Sequence, residues 1–144
     1  MKSNLIARLK NEYDKLKKEL DEKRFSLGEA DSSKESRFPT QRVELESRIK
    51  YLEDKVYEFK QRIEEIETLP HIFNDAVNIG NIVTIEYDNE EMTFLLVPLY
   101  GNYTDNVLSI NSPLGKAILN RKVADDFETV LDGTNKMLKI VGIK

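Results

Sequence analysis

Apolar residues recur through the first half of the chain at alternating steps of three and four. In the first run these are Ile6, Leu9, Tyr13, Leu16 and Leu20; Lys23 and Leu27 continue the series with one polar lapse. In the second run Leu45, Ile49, Leu52, Val56, Phe59, Ile63 and Ile66 keep the alternation without a lapse. An average period of 3.5 keeps one stripe facing a partner helix, so each run predicts a coiled-coil helix. The remaining positions are mostly Lys, Arg, Glu and Asp, as a solvated face requires. Between the runs, Gly28 suits the C-terminal stop of the first helix, and Pro39 suits the first turn of the second. Arms of similar length predict an antiparallel hairpin with its tip at about 28–39; a parallel homodimer is the competing arrangement.

After Leu69-Pro70 the period changes to two. Ile82–Tyr87 predicts a strand, Asp88-Asn89 a turn, and Met92–Val97 its hairpin partner. Val107–Ile110 predicts a third strand. Ser112 is a good N-cap and Pro113 a good first residue for a short helix over Leu114–Leu119. Phe127–Leu131 and Met137–Val141 flank Asp132-Gly133 as a last hairpin. The expected fold class is α+β: an N-terminal antiparallel helical hairpin over 1–70, and over 71–144 a small curled antiparallel β domain with one short helix.

Charge supports that division. The 144 residues are 33% charged with a net charge of −4. Residues 1–68 carry 16 basic and 16 acidic side chains, whereas 69–144 carry 6 and 10. A nucleic-acid-binding domain ordinarily presents a basic face and a high pI; here the pI is about 5.2, so no independent DNA binding is expected. The absence of cysteine excludes disulfides, thiol catalysis and cysteine-ligated zinc. No apolar run suits a signal peptide or membrane span, which makes a cytoplasmic protein the expectation. No phosphate loop, zinc spacing or catalytic triad is present, and nothing in the pattern signals an apolar pocket. Ser32 and Ser33 read as turn or cap residues, since no base is paired with them.

The segment Ile110-Asn111-Ser112-Pro113-Leu114-Gly115-Lys116-Ala117-Ile118-Leu119-Asn120-Arg121-Lys122-Val123-Ala124-Asp125 resembles the C-terminal signature of the bacterial Gre transcript-cleavage factors. Gly80–Ile85 is similar to that domain's opening strand, and Glu46–Glu53 to the start of the family's second coiled-coil helix. The resemblance implies an FKBP-like C-terminal domain that docks on RNA polymerase; Ser112, Pro113, Leu114 and Gly115 are its candidate docking residues. It also implies that the coiled coil enters the polymerase secondary channel. There, acidic tip residues help hold a Mg²⁺ at the polymerase active centre, near the 3′ end of the nascent RNA.

On this chain the tip carboxylates are Asp31 and Glu35 as metal-holding residues, with Glu29 beside them. The factor then carries no active site of its own and no tightly bound cofactor; it stimulates cleavage by the polymerase. The family tip reads Asp-x-x-Glu-Asn followed closely by Glu-Tyr, whereas this chain has Asp31-Ser32-Ser33-Lys34-Glu35-Ser36. The carboxylates stand one residue further apart, and the Asn and the Glu-Tyr pair are missing. That departure suits a second reading, a channel-binding regulator that does not stimulate cleavage. A third, resting on the heptads alone, is a coiled-coil adaptor unrelated to polymerase.

Overall fold

The computed structural model describes residues 1–32, 39–72 and 74–144. The chain divides into two compact units, one reaching to Glu64 and the other from Glu65 to Lys144. Among the described residues no helix is long and apolar enough to cross a membrane.

The first unit is built on helix α1 (Lys2–Ser32) and most of helix α2 (Pro39–Glu67). Six residues separate the two helices, and six extended residues span at most about 20 Å. A 31-residue helix is roughly 45 Å long, so the chain has no length to run back and start α2 parallel to α1. Leu20, Ile49 and Leu52 form the buried seam, with Leu16, Leu27, Leu45 and Val56 packed against it. This is the intrachain hairpin, not a seam reserved for a second copy. Two ion pairs bridge the helices beside the seam, Arg48 to Glu19 at 2.7 Å and Arg24 to Glu53 at 3.2 Å. Both are largely exposed, and each contributes at most about 1 kcal/mol. They fix register more than they add stability.

Two local expectations change. Leu5 is buried, whereas Ile6, the first residue of the expected series, is half-buried. Gly28 does not stop α1, which continues to Ser32. A glycine inside an exposed helix costs only about 1 kcal/mol, too little to end so long a helix. Nothing lies within 4 Å of the position a Cβ would take there.

The second unit is a five-stranded sheet with one short helix. Strands β1 (Ile82–Tyr87) and β2 (Glu90–Val97) form one hairpin; β4 (Asp126–Leu131) and β5 (Thr134–Ile143) form the other. Asp88 and Asn89 have φ of 49° and 62°, and Asp132 and Gly133 have φ of 53° and 75°. Two-residue type I′ loops need positive φ at both central positions, so turn chemistry sets both hairpins. The strand order is β3-β2-β1-β5-β4, with β3 spanning Val107–Ser109.

Three of the four pairings are antiparallel, as expected, but β3 lies parallel to β2, with Leu95 opposite Val107. The sheet is therefore mixed. The parallel return is possible because residues 98–106 loop back through a 3₁₀ turn at Tyr103–Asp105. Asn102 caps that turn and Asn106 leaves it in the left-handed region.

Helix α3 (Pro113–Ile118) places Leu114 and Ile118 in the core, which they share with Val83, Ile85, Phe94, Leu96, Leu108, Phe127, Leu138 and Ile140. At about 1.5–3 kcal/mol per fully buried large side chain, this cluster is the main source of the domain's stability. One buried polar residue ties the domain's ends together. The Asn81 side chain accepts from the Asn78 N–H at 2.7 Å and donates to the carbonyls of Ile72 (3.0 Å) and Lys144 (3.2 Å).

Candidate functional site

The turn into α3 is set by two close contacts. The Ser112 hydroxyl donates to the Ser109 carbonyl at 2.6 Å and accepts from the Gly115 N–H at 3.0 Å, completing an N-cap. Pro113 follows as the first helical residue, where its missing N–H costs nothing. A Cβ on Gly115 would lie 1.9 Å from the Ser109 carbonyl oxygen. Only glycine lets α3 approach the end of β3 so closely. Of the four candidate docking residues, Ser112 and Gly115 thus have local work that accounts for their identity.

Ser112, Pro113 and Leu114 line one wall of a half-open hollow of about 560 Å³. Its floor is apolar: Ile85, Met92, Leu108 and Leu138. Tyr103 forms another side. Its ring stands 5.3 Å from that of Phe94 and its hydroxyl faces the Met92 sulfur at 3.5 Å. The two hairpin ends also line it: Tyr87 beside Asp88-Asn89, and Leu131, Asp132, Thr134 and Lys136 around Gly133. Nothing in the sequence pattern signals this hollow. The residues that form it come from separate segments of the chain, and no single segment shows the pattern.

At those hairpin ends the Lys136 ammonium lies 4.9 Å from the Tyr87 ring centroid. Its pKa stands above the ordinary lysine value, owing first to the Tyr87 phenol beside it and then to the Asp88 and Asp132 carboxylates. The hollow is of ligand-pocket size, with a few polar groups on an apolar lining. Such a surface suits an apolar side chain of a partner polypeptide. It holds no paired nucleophile and base.

The tip residues lie elsewhere. Glu29 is exposed on α1, and Asp31 stands in the last turn of that helix. Glu35 lies outside the described residues. Among the described residues no group of three or more His, Asp or Glu side chains is placed to hold a metal ion. No sequence motif singles out Tyr87, Met92, Tyr103 or Lys136. The one signal that points to them is local: Tyr87 directly precedes one hairpin turn, and Lys136 follows the other closely.

Residues 72–144 match the family model described as "Transcription elongation factor, GreA/GreB, C-term". The transcription elongation factor GreA of Clostridium kluyveri is 33% identical over 151 aligned positions, covering 96% of this chain and 91% of that protein. GreA of Neorickettsia sennetsu is 28% identical over 100 positions, covering 65% of this chain; the match spans 62% of that protein's length. Among solved structures, GreA factor homolog 1 of Thermus thermophilus is 20% identical with a TM-score of 0.43, covering 96% of this chain and 94% of that one.

Proposed function

This chain belongs to the GreA/GreB family of transcription elongation factors, and on that premise we propose that it regulates elongation by binding RNA polymerase. In this reading the β domain docks through the hollow beside Ser112–Leu114. The helical hairpin enters the secondary channel, and Asp31 and Glu35 at its tip, with Glu29 nearby, promote Mg²⁺-dependent cleavage of backtracked RNA. The observation that carries it is the family match over 72–144, extended by a relative that aligns over nearly the whole chain.

Two carboxylates are a fitting donor set. Mg²⁺ prefers a few hard oxygen ligands and retains water and substrate oxygens in its remaining positions. An ion held between Asp31, Glu35 and the polymerase would supply positive charge at the reacting phosphate. The chain's own part is to deliver those carboxylates. A rod of roughly 45 Å, stiffened by the Leu20–Leu52 seam and the two bridging ion pairs, suits that task. The cleavage chemistry then belongs to the polymerase, and the nascent RNA 3′ end is touched only there.

The tip sequence supports a second reading. The wider Asp31–Glu35 spacing and the missing Asn and Glu-Tyr suit a factor that binds the channel without stimulating cleavage. Family membership leaves the adaptor reading, which rested on the heptads alone, without support.

One experiment separates the two that remain: the chain is added to a backtracked elongation complex, and both binding and RNA length are followed in Mg²⁺. The expected result is binding with shortened RNA, and loss of shortening but not of binding in Asp31→Ala/Glu35→Ala. Binding without shortening establishes the second reading. Shortening that survives the double substitution removes the tip assignment, and absence of binding refutes both readings.

A further inference from the structure

The second unit begins at Glu65, so the last turn of α2 belongs to it. The Glu65 carboxylate accepts from two consecutive backbone N–H groups, Leu99 at 3.0 Å and Tyr100 at 2.8 Å, one at each oxygen. Two donors on one charged acceptor fix its direction as well as its distance. The loop that supplies them is itself braced. The Pro98 carbonyl accepts from the Ser109 hydroxyl at 3.4 Å and from the Asn111 side-chain amide at 3.3 Å. A Cβ on Gly101 would lie 2.7 Å from the Ser109 nitrogen, so the loop runs close against β3. Leu99 is 63% exposed, so its backbone and not its side chain holds the loop. Two further contacts hold the chain beyond α2. The Pro70 carbonyl oxygen lies 2.1 Å from the place of a Gly80 Cβ, and the Ile72 carbonyl accepts from Asn81 at 3.0 Å. Of these three tethers, Glu65 alone lies in α2.

We infer that Glu65 is the positioning residue that holds the direction of α2 where the helix enters the second unit. The contacts at Pro70 and Ile72 fix where the chain goes after the helix, but they do not stop the helix from pivoting about its end. A carboxylate gripped inside the last turn does. From Pro39 to Glu65 the helix is roughly 40 Å long, so a pivot of about 10° at Glu65 displaces its far end by about 7 Å. Groups that take part in a reaction tolerate far less: a misplacement of about 1 Å can cost roughly a hundredfold in rate. The consequence for the tip rests on the functional reading above; the clamp itself does not.

Glu65→Gln keeps the size and helix propensity of the side chain and puts an amide donor where one acceptor oxygen stood. In the full chain, hydrogen exchange at the Leu99 and Tyr100 amides should quicken about tenfold or more, the worth of a hydrogen bond to a charged group. Residual dipolar couplings of the two helices and of the β domain should fit one alignment tensor in the parent and need two in Glu65→Gln. Leu99→Ala keeps both N–H groups and should leave both readouts unchanged. On a backtracked elongation complex, Glu65→Gln should bind like the parent but shorten RNA at least about tenfold more slowly, a split that loss of folding would not give. If the β domain of Glu65→Gln unfolds, Glu65→Asp, whose carboxylate stops one methylene short of the loop, takes its place under the same criteria.

A parent that needs two tensors, or a Glu65→Gln variant that keeps one, overturns the clamp. If the couplings separate while RNA shortening is unchanged, Glu65 does not position the tip. A parent that binds without shortening RNA refutes the cleavage reading alone, and the dipolar couplings then decide the clamp by themselves.

Discussion

Replacing Gly115 by alanine adds one methyl group, and the fold leaves no place for it. The new Cβ would lie 1.9 Å from the Ser109 carbonyl oxygen, 2.8 Å from its carbon and 2.9 Å from the Ser112 hydroxyl. The two nearest are backbone atoms, and the third, the Ser112 hydroxyl, is tied into the cap. Relief requires α3 to withdraw from β3 by more than 1 Å, on the order of the overlap with a normal carbon–oxygen contact. That movement breaks the Ser112 cap and the bonds from the Ser112 N–H and hydroxyl to Ser109. Loss of the cap costs about 1 kcal/mol, and overpacking against backbone a further 1–3 kcal/mol. The withdrawal also loosens Leu114 and Ile118 in the core. A total near 3–4 kcal/mol is expected, a large fraction of the stability of a small domain.

The same chemical change at Gly28 provides the contrast. There the methyl group meets nothing within 4 Å and lies inside a helix, so Gly28→Ala should stabilise the hairpin by up to about 1 kcal/mol. Urea unfolding can follow both: NMR signals of Phe94 and Tyr103 report the β domain, and far-ultraviolet ellipticity mainly the helices. A loss below about 1 kcal/mol in Gly115→Ala would refute the claim that close backbone approach selects glycine there.

Asn81→Ala should destabilise the β domain by about 2–3 kcal/mol, because it removes three hydrogen bonds from a residue only 3% exposed; a urea midpoint within error of the parent would contradict this. The Lys136 ammonium should titrate above the ordinary lysine value, followed by carbon chemical shifts at Cε, and should return toward that value in Tyr87→Phe. Since the folded pKa is the higher one, the interaction's contribution to stability is complete below the unfolded lysine pKa and disappears as pH rises through the folded value. A Tyr87→Phe variant whose Lys136 titration does not move would show that the phenol is not the group holding the proton.

Much of the fold is legible from local chemistry. The three-four spacing from Leu45 to Ile66 specifies a helix with one buried stripe. The loops Asp88-Asn89 and Asp132-Gly133 take positive φ at both positions and bring their strands together. Ser112-Pro113 starts α3 where cap chemistry places it. Each signal is read over a few residues because it reflects backbone preference or the period of one element. The candidate site was legible only on one side. Ser112, Pro113 and Leu114 were identified through the family signature, while Tyr87, Met92, Tyr103 and Lys136 share no sequence period with them.

Tertiary structure decided the rest. Whether β3 would pair parallel or antiparallel depended on how residues 98–106 return, which local propensity does not encode. The helix ran past Gly28 because a penalty of about 1 kcal/mol is small beside the packing and hydrogen bonding of a long helix. The hollow exists because hairpin ends, a 3₁₀ turn and the start of α3 meet around one end of the core. The Ser-Pro-Leu-Gly turn was visible in the sequence from the outset. Only the fold showed that its serine and glycine hold α3 against β3, while its serine, proline and leucine line the hollow. That division depends on contacts between segments, and contacts between segments carry no local period.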